Sequence, residues 1–379
     1  MSPTPAPRIL VAPLNWGLGH TTRCIPIIRE LERQGATVIL MGTETQLTFL
    51  EQYFPQLEQQ IDKSRPIRYS SWLPAWFKII LQASNIQRNI QEEYSNLPSI
   101  VKTKQIDAIV SDNRYGLHSN DCFSVLITHQ LRLSLPAILK PFRWWSNRKL
   151  SALLRPFHQL WLPDFPDHSL SGTLSHSSLQ PKALGCLSRF ESQLPSQAPT
   201  QLLLALLSGP EPQRSLLLLE LLRISTSNPS EITIVIDEIP DVVSSEMRQK
   251  WHFVVRPNDA ELQQLIQSHR GIICRSGYST LMDLQRLGRT ALLVPTPGQT
   301  EQEYLARHWE AKGFTALRQS ELKGIHQLPS LMEKCPIATL ATSNEQHESA
   351  ALLAEAVGQL VQRISIKTNN SRRTDAGHQ

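Results

Sequence analysis

Several short polar stretches in this 379-residue chain have the residue types needed to grip a phosphorylated, hydroxyl-rich ligand. Cys274-Arg275-Ser276-Gly277 runs into Tyr278-Ser279-Thr280-Leu281-Met282-Asp283, and Leu292-Leu293-Val294 runs into Pro295-Thr296-Pro297-Gly298 and then Gln302-Glu303. Each reads as a strand, a tight turn and a helix. The first turn of a helix leaves backbone N–H groups unpaired, and glycine lets a ligand come close to them, so such turns form a seat for a diphosphate. Asp283, Gln302 and Glu303 could bond the vicinal hydroxyls of a ribose or hexose. Taken singly, each also fits an ordinary surface position on a helix.

Two further stretches repeat the pattern. Gly17-Leu18-Gly19 follows a strand and opens a helix at His20. A dinucleotide fingerprint would need Gly or Ala at position 22, where Thr22 stands, which counts against nicotinamide or flavin. What survives is a glycine turn with an imidazole at the helix start, or simply a surface histidine beside a cap. Ser208-Gly209-Pro210-Glu211-Pro212 lies between another strand and helix, either facing phosphate or forming a rigid proline turn.

Positioning these residues requires a parallel α/β framework. In the first half, strand Arg8 to Ala12, a helix from about His20 to Gln34 stopped by Gly35, and strand Thr37 to Met41 form a βαβ opening. Strands Ile106 to Val110 and Phe123 to Thr128 end at Ser111-Asp112-Asn113 and His129-Gln130. After the Ser/Gln/Pro-rich stretch Arg189 to Thr200, strands and helices alternate from Gln201 to Lys312. Open parallel sheets bind ligands at the carboxyl ends of their strands, where all these polar stretches fall. The expected units are 1–190 and 198–350, facing each other across a cleft, followed by a disordered tail at 364–379.

Composition narrows the partners. Apolar residues make up 40% and charged residues 19%, with a net charge of +5 and a pI near 9.0. That favours anionic ligands, but no zinc-finger spacing, basic helix or aromatic RNA-binding signature points to nucleic acid. Five scattered cysteines without a C-x-x-C pair fit a reducing compartment, and with no apparent secretory signal the expected location is the cytoplasm. Ser64 to Pro98, rich in aromatics, reads as a helical insertion. Pro141 to Leu154 sets Trp144 and Trp145 among Arg143, Arg148 and Lys149. The plainer expectation is a helix packing its tryptophans on the sheet; the alternative is peripheral contact with the inner membrane face.

Cys274-Arg275-Ser276-Gly277, Asp283, Pro295 and Gln302-Glu303, with Gly17-Leu18-Gly19-His20, resemble the family 28 glycosyltransferases. These include the bacterial enzyme that adds N-acetylglucosamine to lipid I and the plant galactolipid synthases. The likeness is specific from about Leu202 to Gly313. Over the first half it rests on the glycine loop and His129-Gln130.

The resemblance implies a GT-B architecture: two Rossmann-like domains with parallel sheets, the second holding a nucleoside diphosphate sugar, expected to be UDP-linked, and the first an acceptor. Ser276 and Gly277 would meet the diphosphate, Asp283 the ribose, and Gln302 and Glu303 the sugar. Gly17, Gly19, Ser208, Gly209 and Arg275 complete the expected donor set. Asp at 283 and Glu at 303 depart from the family's usual Glu and Gln, which bears on donor identity. The implied chemistry is a single inverting displacement at the anomeric carbon, with His20 or Asp112 as base. Helix N-termini, Arg275 and the glycine turns would carry the leaving charge without a metal or cofactor, and no Asp-x-Asp pair occurs. A lipid-linked acceptor is compatible with the aromatic segments. Rival readings are a nucleotide-sugar 2-epimerase of the same fold, a nicotinamide oxidoreductase and a non-catalytic sugar-nucleotide-binding protein.

Overall fold

The computed structural model describes residues 6–15, 17–62, 83–135, 137–190, 199–336 and 343–376. Its strands are β1 (Arg8–Pro13), β2 (Thr37–Gly42), β3 (Glu58–Ile61), β4 (Ala108–Asp112), β5 (Phe123–Ile127), β6 (Gln159–Leu162) and β7 (Lys182–Ala183) in the first half. The second half contributes β8 (Gln201–Leu207), β9 (Ile232–Ile236), β10 (His252–Val255), β11 (His269–Cys274), β12 (Leu292–Leu293) and β13 (Thr315–Ala316).

Among the described residues these form two wholly parallel sheets, ordered β3-β2-β1-β4-β5-β6-β7 and β10-β9-β8-β11-β12-β13. Central strands such as Ile9-Leu10-Val11-Ala12 and Ile272-Ile273-Cys274 are fully buried, as strands covered by helices on both faces must be. The order reverses beside β1 and β4 in the first sheet, and beside β8 and β11 in the second. Such switch points open crevices at the strands' carboxyl ends.

The two sheets share packing. Helix Leu18–Arg33 lies against helix Tyr278–Arg286, and one apolar cluster runs from Ile9, Val11, Ile25 and Leu31 through Tyr278 and Leu281 to Leu204 and Ile272. Helix Ser343–Ala376 then returns to the first unit. Leu353, Ala356, Val357, Leu360 and Ile364 join the cluster beside helix Leu18–Arg33, and the Gln34 amide donates to the Ala354 carbonyl at 2.8 Å.

Helix Ser343–Ala376 is anchored by its buried apolar stripe, which runs from Leu353 to Ile364. One expectation changes here. Trp144 and Trp145 do not pack on the sheet: on helix Arg143–Leu154 they are 71% and 53% exposed, with Leu150 and Leu154 filling the buried face instead. Within the expected helical insertion, Ala83–Lys104 is a helix continuing past Pro98; residues 63–82 lie outside the described residues.

Candidate active site

Beyond β1, Gly17 immediately precedes helix Leu18–Arg33. Gly17, at φ 73°, adopts a backbone that side chains rarely take, and no side chain caps the helix. The turn aims His20 toward the end of β4, where Asp112 sits fully buried. His20 Nδ1 lies 3.0 Å from Asp112 Oδ2. Arg23, one helical turn beyond His20, donates through Nε to Asp112 Oδ2 at 2.7 Å and through Nη2 to Asp112 Oδ1.

Arg23 Nη2 also approaches His20 Nδ1 at 2.8 Å, and its Nη1 lies 3.3 Å from His129 Nδ1. The chain continues into the second unit. His129 Nε2 is 2.7 Å from Glu301 Oε1, and the His129 ring stacks on Tyr278 with centroids 4.0 Å apart. Five polar side chains thus form one connected line from His20 to Glu301.

Burial and charge set their protonation. Burial by itself would raise the Asp112 carboxyl, but Arg23 and His20 outweigh it and hold the pKa below the ordinary aspartate value. Burial lowers His20, and the Arg23 charge lowers it further, against the opposing pull of Asp112. His20 is therefore neutral at pH 7. A proton on Nδ1 toward Asp112 leaves Nε2 a lone pair able to accept one, whereas a bare Nδ1 accepts from Arg23 Nη2 and puts the proton on Nε2. Of the two candidate bases, Asp112 has no exposed side-chain surface and both its oxygens are engaged, whereas the His20 side chain is 16% exposed. Asp112 is placed to orient the imidazole.

Across the seam, Ser279 Oγ donates to the Gly19 carbonyl at 2.7 Å. A Cβ on Gly19 would come within 3.1 Å of that hydroxyl, so glycine there permits the close approach of the two units. Ser134 and Thr300 exchange side-chain-to-carbonyl bonds at 3.2 and 2.6 Å, fixing the start of helix Thr300–Glu310 beside His129. Farther along, that helix docks on residues 169–173 of the first unit, through Trp309 Nε1 to the Leu170 carbonyl at 2.8 Å and the Thr173 N–H to the Tyr304 hydroxyl at 2.7 Å.

The expected donor residues divide. Ser208-Gly209, Ser276-Gly277 and Thr296-Pro297-Gly298 follow β8, β11 and β12, which are neighbours in the sheet. Arg275 binds these turns together from beneath, donating to the carbonyls of Val294 at 3.0 Å, Pro295 at 3.3 Å and Gln213 at 2.7 Å. Burial pulls its pKa down to about 10, so it remains charged at neutral pH. Ser276 Oγ donates to the Gln302 carbonyl at 2.7 Å, and the Gln302 side chain accepts from the Thr296 N–H at 2.8 Å. Glu303 accepts from the Gly298 N–H at 3.0 Å. Helix Tyr278–Arg286 starts without a side-chain cap, leaving its first N–H groups open at this edge, whereas at helix Gln213–Ile224 the Glu211 carboxylate accepts from the Ser215 N–H at 3.3 Å. Gly209 (φ 98°) and Gly298 (φ 75°) need glycine's freedom; Gly277, at φ −73°, does not.

Asp283 stands apart from that group. Its carboxylate accepts from Ser188 Oγ at 2.6 Å and lies 3.5 Å from Arg189 Nε, both on the segment leaving the first unit. Two helical turns separate it from the Ser276 loop, roughly 10 Å along the axis, and the crossover segment reaches it there. The structure engages Asp283 as a link between units.

Arg23 and Glu301 are the site members that reading the sequence missed. Arg23 has a signal in its spacing, since i and i+3 share a helix face and His20 was already marked. Glu301 looks like any acid in a helix's first turn, and its pairing with His129 spans 172 residues.

Residues 241–363 match the model of the glycosyltransferase family 28 C-terminal domain. Over 114 residues the chain is 30% identical to a Rhodopseudomonas palustris protein named UDP-N-acetylglucosamine--N-acetylmuramyl-(pentapeptide) pyrophosphoryl-undecaprenol N-acetylglucosamine transferase, a match covering 30% of this chain and 29% of that one. Solved structures are similar over nearly the whole length. A spinosyn rhamnosyltransferase complexed with thymidine diphosphate has a TM-score of 0.59 at 15% identity, covering 96% of this chain and 100% of that one. The kitacinnamycin glycotransferase gives 0.61 at 13%, covering 97% and 99%, and the glycosyltransferase SnogD from Streptomyces nogalater 0.56 at 14%, covering 98% and 99%. The two parallel sheets are those of the GT-B fold.

Proposed function

We propose that this chain, of GT-B fold and carrying a family 28 glycosyltransferase C-terminal domain, transfers a hexose or N-acetylhexosamine from a nucleoside diphosphate sugar to an acceptor hydroxyl, with inversion. The observation that carries the reading is the His20–Asp112 pair at the seam, 3.0 Å apart, beside the helix bearing Gln302 and Glu303. His20 Nε2 takes the proton from the acceptor oxygen as that oxygen attacks the anomeric carbon and the carbon–diphosphate bond breaks. Asp112 holds the ring and offsets its new charge. The departing diphosphate lies on the open N–H groups at the start of helix Tyr278–Arg286, with the Arg275 charge beneath the turns. Those groups meet the leaving charge without a metal ion, so EDTA is expected to leave turnover within about twofold, by a coupled assay of nucleoside diphosphate release.

The uridine nucleotide is the favoured donor base, on the strength of the similar Rhodopseudomonas palustris protein. Comparing thermal shifts with uridine, guanosine and thymidine diphosphates tests this. At a hundredfold excess over Kd, uridine diphosphate should stabilise the fold by about 2.7 kcal/mol and raise Tm by roughly 3 °C. No shift with any of the three would remove the donor site from this reading.

Because His20 sits below the ordinary imidazole value, kcat/KM should stay flat as pH falls to about 6.5 and decline only below it. The sign follows from the role: a base works when unprotonated, and a lowered pKa keeps it unprotonated to lower pH. A decline centred well above 6.5 would exclude His20.

The acceptor is proposed to be lipid-linked and reached at a membrane surface. No described helix is long and apolar enough to cross a membrane. Helix Arg143–Leu154 instead exposes Trp144 and Trp145, with Phe142 59% exposed beside them, and Lys149 lies 3.9 Å over the Trp145 ring. From Cys122 to Pro163 the sequence has six Lys or Arg residues and no Asp or Glu. Exposed aromatic rings with basic neighbours suit an anionic lipid interface. The chain should sediment with vesicles of phosphatidylglycerol and not with neutral phosphatidylcholine, and W144A/W145A should lose most of that binding.

A further inference from the structure

The contact between Glu301 and His129 has no part in the proton transfer described above, yet it joins the two units at the base. Charges in the line can be counted. Arg23 is positive, Asp112 and Glu301 are negative, and the imidazoles of His20 and His129 each hold or lack a proton. Whatever proton His129 holds, Arg23 and Asp112 cancel, and Glu301 makes the group one unit more negative than it would be without it. A proton taken up by His20 therefore enters less positive surroundings when Glu301 is present. Charges shielded from water feel such differences strongly.

We propose that Glu301 is a positioning residue that acts through His129 and Arg23 to raise the proton affinity of His20, so that base strength depends on the helix lining the donor side. The inference rests on His20 as the base. The groups that act on the imidazole are Arg23 from its own helix and Asp112 from β4; the buried Cys24 thiol and Tyr115 lie within reach of Asp112 and Arg23. His129 follows β5, and Glu301 and Tyr278 come from the second unit.

Glu301 is suited to the task. Its burial would raise the carboxyl pKa, but His129, His20 and Arg23 together bring it below the ordinary glutamate value, so it is ionised wherever the enzyme would work. The reciprocal Ser134 and Thr300 bonds fix the start of its helix independently. Replacing the carboxylate by an amide therefore removes charge while leaving its placement.

The test is an NMR titration of the His20 ring in the full-length chain, with His20 assigned by its loss in H20N. In Glu301→Gln the His20 midpoint should fall by about half a unit or more, while Glu301→Asp stays closer to the parent. The acid limb of the kcat/KM profile should move the same way, with donor KM unchanged. A Glu301→Gln chain that folds, by its circular dichroism and Tm, yet titrates His20 at the parent midpoint overturns the proposal. Should Glu301→Gln fail to fold, Glu301→Asp is compared with His129→Gln, and unchanged His20 midpoints in both overturn it equally. A shifted midpoint together with full turnover in His20→Ala would instead sink the catalytic reading and leave the electrostatic link standing.

Discussion

Replacing His20 by alanine is expected to lower kcat for sugar transfer by about 10²- to 10⁴-fold, the usual contribution of a positioned general base. Binding of the nucleoside diphosphate should be unchanged, because the turns after β8, β11 and β12 are held by Arg275 and Gln302, not by His20. Asp112→Asn should also lose turnover. Its amide can no longer offset the imidazolium, and it can turn an N–H toward His20 and favour the wrong tautomer. Stopped transfer with intact nucleotide binding would identify a base. Transfer at more than half the parent rate in His20→Ala would remove His20 from the mechanism.

The second large effect concerns stability. Arg23→Met should destabilise the fold by about 3–5 kcal/mol, because it strands the buried Asp112 carboxylate without the guanidinium that grips both its oxygens. Urea unfolding measures this directly. Its pH dependence has a definite sign. In the parent, Arg23 holds the Asp112 pKa low, so that stability is present above about pH 4 and is lost as pH falls through the lowered value. In Arg23→Met that acid-side loss should largely vanish, since the carboxyl no longer has a depressed pKa to protect. Adding Asp112→Asn to Arg23→Met should recover part of the stability, as removing both members of a buried pair costs less than removing one. A single variant within about 1 kcal/mol of the parent would show that water already reaches Asp112.

Local chemistry made much of the framework legible. Alternation of apolar runs with glycine and proline turns marks β1, β2, β8, β11 and their helices within a residue or two, because a buried parallel strand has little choice but a continuous apolar run. The turns at Gly17, Ser208-Gly209, Ser276 and Pro297-Gly298 could be placed on strand carboxyl ends for the same reason. What the sequence withheld are contacts that depend on how two units meet. Asp283 has the spacing of a ligand-binding acid, and nothing local reveals that Ser188 and Arg189, some 95 residues earlier, occupy it. Trp144 and Trp145 have core composition, but only the packing shows that Leu150 and Leu154 take the inner face. Arg23 lies in plain view on the His20 face, where a buried guanidinium is rare enough to be passed over.

The returning helix Ser343–Ala376 has a consequence for how the molecule is made. The groove along helix Leu18–Arg33 that receives Leu353, Val357 and Leu360 is synthesised more than 300 residues ahead of its filling. At the usual pace of translation, about 5–20 residues per second, that apolar groove stays uncovered for roughly 15 seconds or longer in every nascent chain. Until Leu353 to Ile364 arrive, the first unit presents to solvent an apolar face that the finished molecule buries.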